Sequence, residues 1–215
     1  MMAEFMDGLF SIFFIETLMN ALLLGGVFAL LSLGLNLIFG VIDVVWICYA
    51  EIIMLGMYGI FFLHAEAGMP IVLASCCGVG LTALIGWLTH RFIIGYLLQA
   101  EPINQLLATG GLLFFFQGVA MVVFGIEFRN IGISLGSLAV SEDIYLSWTR
   151  LLSFALATLV VIALYLFLTR SYLGAAIRAI SQDREIMILM GVDTKRLYLL
   201  TSAIGGGLAG LGAAL

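Results

Sequence analysis

Apolar runs long enough to cross a bilayer follow one another along this chain with only short polar breaks between them, and nothing else constrains its fold as much. A helical crossing takes about 20 apolar residues, so a chain of this length holds roughly five or six crossings with short loops and has no room for a soluble domain. The runs are continuously apolar rather than alternating, which selects helices over barrel strands. Only 10% of the residues are charged and 64% are apolar, where soluble chains carry about 25% and about 45 to 50%. A soluble enzyme, a disordered linker and a nucleic-acid binder are excluded on those grounds. The expected fold is an all-α, polytopic transmembrane helical bundle, a single domain over residues 1–215.

Spans are expected at about 12–38, 44–63, 70–98, 103–125, 151–169 and 197–215, about six in all. Pro70 and Pro102 open spans, where a missing N–H costs least. Met1 to Phe10 contain Glu4 and Asp7 but no Lys or Arg, the wrong charge for the start of a cleaved signal peptide, so the first run is expected to stay in the mature chain. Of the eight basic residues, Arg170, Arg178, Arg184, Lys195 and Arg196 crowd the segment between the fifth and sixth spans, which the positive-inside rule assigns to the cytoplasm. Counting back places the N-terminus outside, Arg91 inside and residues 126–150 outside, leaving Arg129 and Arg150 against the rule. The implied setting is a bacterial-type inner membrane, with lipid as the surrounding partner. Cys48, Cys76 and Cys77 read as small core residues rather than a disulfide framework.

The basic segment, residues 170–196, is the most specific part of the chain. Ser181 is positioned to cap a helix of about two and a half turns, Asp183 and Glu185 fall in its first turn, and Gly191 ends it in a left-handed conformation. Ile186, Leu189 and Met190 then form an apolar stripe at i, i+3 and i+4 on a segment held out of the membrane by its charges. The stripe fits either a groove on another protein or the chain's own bundle and the lipid surface. In the last span Ser202, Gly206, Gly210 and Ala214 recur every four residues on one face, a packing surface for another helix of this chain or for a second subunit.

Ionisable groups within spans are candidate sites because a mid-membrane carboxylate costs about 2.5 to 3.5 kcal/mol. Glu51, about seven residues into the expected second span, is the leading case; protonation or a helix–helix hydrogen bond is its ordinary alternative. Glu16 and Asn20 are expected near the outer interface, His64 and Glu66 in a short external turn, and His90 with Arg91 at a snorkelling helix end. Gly132–Ile133–Ser134–Leu135–Gly136 matches the spacing of a nucleophile elbow but lacks the strand, helix and histidine base that this chemistry needs, so it reads as an external glycine-rich turn. No catalytic, cofactor or metal-ligand pattern emerges, and no GxxxxGK[ST] nucleotide loop exists. Ile38–Val41 and Val123–Ile126 resemble one another at span ends on opposite faces, as inverted repeats would.

Glu185 to Gly191, EIMILMG, resembles the EAAxxxG loop of ABC importer permeases, with Glu185 and Gly191 matching and Ile186 and Met187 replacing both alanines. Around it, GAAIRAISQDREIMILMGVDTKRL and IGGGLAGLGA resemble the membrane subunits of branched-chain amino acid ABC importers. ALLSLGLNLIFGV at Ala29 to Val41 and QLLATGGLLFFFQGVAMVVFG at Gln105 to Gly125 agree in family order. The resemblance implies that Glu185, Ile186, Leu189, Met190 and Gly191 belong to a coupling helix docking on cytoplasmic ATP-binding subunits. It further implies a second permease subunit, an external solute-binding protein, and a small polar solute: branched-chain amino acids or a related small amide such as urea. The substrate path it suggests carries Asn36, Trp46, Tyr49, Glu51 and Thr109. Where family members commonly read GxxNFAHGE, this chain keeps Glu51 but has Trp46, Tyr49 and Ala50 at the Asn, His and Gly positions. Family chains continue past a span like the sixth, so the resemblance implies a chain that is C-terminally truncated or unusually short. The alternatives are a sugar permease of the same superfamily and an ion-coupled secondary carrier using Glu51, neither of which acts as an enzyme.

Overall fold

A computed structural model gives the fold. It describes the backbone except at residues 1, 126, 128, 133–135, 142 and 143, and leaves the side chains of residues 2–12, 137–145 and 185 undescribed. The chain is an α-helical bundle. Helix α1 (Met2–Ile42) contains a span over Phe13–Ile42. It stops where Asp43 turns to φ +59°, its N–H still bonded to Phe39 O. Next come α2 (Tyr49–Phe61), continued by a π-helical turn over Phe62–Glu66, and α3 (Ile71–Thr89), continued by a second π-helical turn over His90–Ile94 and the short α4 (Gly95–Leu97). Helix α5 (Pro102–Phe124) starts on its proline and ends at Gly125, whose φ of +78° a side chain would strain. A hairpin of β1 (Ser137–Ser141) and β2 (Ile144–Ser147) leads into α6 (Trp148–Arg170). Helices α7 (Tyr172–Gln182), α8 (Arg184–Leu189) and α9 (Thr194–Ala214) complete the chain.

Five helices among the described residues have the length and apolarity of a crossing: Phe13–Ile42, Ile71–Leu97, Pro102–Phe124, Trp148–Arg170 and Thr194–Ala214. The expected second span is the exception. Residues 43–48 are not helical, and α2 with its π-helical turn begins only at Tyr49. Val44, Trp46 and Cys48 are buried there, so their apolarity reflects a loop folded into the core rather than a lipid-facing helix. The strand pair was likewise not expected, and it lies in the segment expected outside the membrane, residues 126–150. Of the elbow-like stretch, Ile133, Ser134 and Leu135 fall outside the described residues, while Gly132 and Gly136 both have positive φ. The two resembling tetrapeptides part company at their glycines: Gly40 lies within α1, whereas Gly125 terminates α5.

Helix α9 is the centre of the bundle. Gly206 lies against Thr82 and Gly86 of α3, Gly205 against Ile38 of α1, Gly212 against Leu31, and Ala213 beside Gly56 of α2. A Cβ on Gly206 would sit 2.5 Å from Thr82 O, and one on Gly86 would sit 2.6 Å from Ser202 O. Lipid supplies no hydrophobic drive between helices, so this backbone-to-backbone approach is what lets dispersion hold them together. These pairs also fix direction. Helix α9 runs antiparallel to α1 and α3, α2 runs antiparallel to α3, and α6 lies beside α1 in the same sense, with Phe154 near Gly26 and Arg150 bonded to Asn20. The basic segment therefore lies at the end of the bundle shared by the termini of α1, α3 and α6.

At the opposite end the two basic residues that break the charge rule have local partners. Arg129 stacks over Phe61 and Phe62, 5.6 and 5.2 Å from their ring centres, and pairs with Glu66 at 3.5 Å. Arg150 Nη1 donates to Asn20 Oδ1 at 2.7 Å. The first ties the segment ahead of β1 to the π-helical turn after α2, and the second ties the start of α6 to α1.

Candidate functional site

Two features sit in the half of the bundle toward the basic segment. The first is a cavity of about 810 Å³ between α1 and the loop that opens α2. On α1 its wall is formed by Phe28, Leu31, Ser32, Leu35, Asn36 and Phe39; the other wall runs from Val45 through Trp46, Tyr49 and Ala50 to Ile53. None of the described residues lining it is charged. Its size falls within the range of small-molecule sites. Tyr49 crosses from this wall to the centre, donating its hydroxyl to Gly205 O of α9 at 3.2 Å and closing on Gly34 of α1. Trp46 is almost wholly buried, and its indole N–H finds no acceptor among the described residues.

The expected path residues are thus divided. Asn36, Trp46 and Tyr49 share the cavity wall; Glu51 and Thr109 are not among its lining. Glu51 lies in the first turn of α2, not seven residues into a span, because the helix starts later than expected. A carboxylate there is favoured by the positive end of the helix dipole. Thr109 is fully buried on α5 and turns its hydroxyl back to Gln105 O and Leu106 O at 3.0 and 3.2 Å.

The second feature is the segment between α6 and α9. Ser171 caps α7 by accepting from Gly174 N at 2.9 Å, and Gly174 turns tightly onto Phe167 and Leu168. Helix α7, which sequence reasoning missed, buries Ala176, Ile177 and Ile180 against the bundle. Ser181 therefore lies within α7, donating to Arg178 O at 2.8 Å, and does not cap α8. The cap is Asp183, whose carboxylate accepts from Ile186 N at 3.0 Å. Helix α8 is six residues long, shorter than expected, and Gly191 follows at φ +80°. Met187 is buried, whereas Ile186 is 51%, Leu189 85% and Met190 73% exposed. One residue anchors the helix and the stripe faces away. The side chain of Glu185 lies outside the described residues.

Sequence reasoning also missed the link from this segment into the bundle. Arg184 donates Nε to the Tyr198 hydroxyl and stacks its guanidinium 4.9 Å from that ring. The Tyr198 ring lies 6.2 Å from His90, and His90 Nδ1 is 3.0 Å from Ser202 Oγ. His90 is buried on the π-helical turn after α3, not snorkelling at an exposed end. The available signal was that Tyr198 continues the four-residue stripe of Ser202, Gly206 and Gly210. Of that stripe, Ser202, Gly206 and Gly210 are buried against α3, and Ala214 is half-buried.

The family described as branched-chain amino acid transport system / permease component matches residues 17–215. The chain belongs to this permease family. It is an integral inner-membrane protein and a transport subunit. It is similar to the high-affinity branched-chain amino acid transport system permease protein BraD of Pseudomonas aeruginosa, with 27% identity covering 94% of this chain and 70% of that one. It is also similar to the corresponding LivH permease protein of Escherichia coli K12, with 24% identity covering 95% and 70%. No solved structure matches the chain.

Proposed function

We propose that this permease moves branched-chain amino acids across the inner membrane as part of an ABC importer, with its N-terminus outside and residues 170–196 in the cytoplasm. In this reading α8 is the coupling helix: Ile186, Leu189 and Met190 enter a groove on a cytoplasmic ATP-binding subunit, with Glu185 and Gly191 bounding the motif. A second permease completes the passage, and an external binding protein delivers the solute. The exposed stripe anchored by buried Met187 carries the proposal, because an apolar face on a charged, cytoplasmic segment needs a partner to leave water. The solute path follows the cavity past Asn36, Trp46 and Tyr49, while Glu51 and Thr109 act from outside its lining. Closure of the ATPases would shift α8 and, through Met187 and the Arg184–Tyr198 contact, move α9 against α1 and α3. Tyr49, bonded to Gly205, brings that motion to the cavity.

The test is uptake of leucine, isoleucine and valine into vesicles holding the whole complex, with binding protein added and the proton gradient collapsed. Uptake that requires ATP supports the reading. Uptake that vanishes with the gradient and survives without ATP overturns it in favour of an ion-coupled carrier.

A further inference from the structure

The cavity beside α1 poses a specific chemical question. Its described lining has no cation for a carboxylate and no carboxylate for an ammonium group, and aliphatic and aromatic side chains make most of it. One polar group stands out: the Trp46 N–H, shut from solvent and without an acceptor among the described residues. A buried donor with no partner raises the free energy of the state that contains it, so a state supplying an acceptor is favoured. Trp46 also stands on residues 43–48, the non-helical stretch of the cavity wall, where backbone rotation does not require breaking a helix.

Resting on the transport reading above, we propose that the cavity holds the aliphatic side chain of a small amino acid and that Trp46 is its recognition residue. The indole N–H donates to the solute carboxylate when the loop carries the ring toward the cavity. The ammonium end is then held from beyond these walls, by groups outside the cavity lining. Trp46 would thereby convert solute arrival into movement of the loop, because the donor is satisfied only in the occupied state.

The experiment measures isoleucine binding to the purified permease–ATPase complex by calorimetry, without the binding protein so that its affinity does not enter. ATP-driven uptake with the binding protein restored is measured in parallel. Trp46→Phe keeps the aromatic body and removes the donor, and should weaken isoleucine binding about tenfold, as expected for one charge-assisted hydrogen bond. Ala50→Leu narrows the α2 wall and should weaken binding of leucine and isoleucine more than that of alanine. Unchanged affinity in Trp46→Phe, or equal effects of Ala50→Leu on large and small solutes, overturns the proposal. Wild-type uptake without isoleucine binding to the permease–ATPase complex overturns it too. Absence of ATP-dependent uptake in the wild type overturns the transport reading itself, and the proposal with it.

Discussion

His90 Nδ1 and Ser202 Oγ lie 3.0 Å apart in the buried contact between α3 and α9, 112 residues apart in sequence. Neither has access to bulk water, so each satisfies the other at a place where a lone polar group would be costly. Ser202→Ala removes one partner and strands the imidazole. It should destabilise the purified protein by about 1 to 3 kcal/mol, seen as a lower midpoint of thermal unfolding in detergent. Ser202→Thr, which restores a hydroxyl, should recover part of the loss; an unchanged midpoint in Ser202→Ala would show that the pair contributes nothing.

Glycines of the bundle should divide by what a side chain would meet. Gly206→Val places its Cβ 2.5 Å from Thr82 O, a backbone atom that cannot step aside, so α9 must separate from α3. Gly25→Ala meets nothing within 4 Å and should be neutral or gain a few tenths up to about 1 kcal/mol from helix propensity. Folded yield by size-exclusion chromatography should collapse for the first and hold for the second. Similar yields for both would mean that α9 is not seated where the structure has it.

Charge placed on α8 should distinguish the docking stripe from the anchor. Leu189→Glu or Ile186→Glu enters an exposed position and should leave insertion intact, yet abolish co-purification with the ATP-binding subunits. Met187→Glu buries a carboxylate among apolar neighbours and should instead lower the stability of the permease itself. Normal ATPase binding by Leu189→Glu would point to a helix that rests on lipid.

Orientation yields a separate check. An epitope inserted at Gln182 should react only from the cytoplasmic side and one at Ser137 only from outside. Both reacting from one side would break the alternation of helix directions set by the α1, α3 and α9 contacts.

Hydropathy alone located the five long spans because lipid and core make the same demand on a helix of that length. It misjudged residues 44–48 for the same reason: Val44, Trp46 and Cys48 are as apolar in a buried loop as in a helix, and the chain leaves the helix at Asp43, which has positive φ. Cap assignment failed at Ser181, because α7 extends to Gln182 and absorbs the serine, and Asp183, expected in the first turn, takes the cap instead. His90 was unreadable because its meaning lies in Ser202 and Tyr198, and the adjacent Arg91 suggests an interfacial end instead. The stripe on α8 was legible because it depends only on local spacing.

Glu51 separates the transport classes. A proton-coupled carrier needs a carboxylate that titrates in every cycle, so Glu51→Gln, which keeps shape and hydrogen bonding but cannot ionise, would stop transport and erase its pH dependence. The structure sets Glu51 in the first turn of α2, half-buried and off the cavity lining, where its charge complements the helix terminus. The ATP-driven import proposed above assigns Glu51 to the helix start rather than to the transport step. Glu51→Gln should therefore retain substantial ATP-driven uptake in vesicles with the proton gradient collapsed, at a cost of about 0.3 to 1 kcal/mol in stability from the lost dipole interaction. Glu51→Leu, which also replaces the polar side chain with an apolar one, should reduce assembly further. Loss of all uptake in Glu51→Gln, with the complex assembled at wild-type yield, would return Glu51 to the transport step itself.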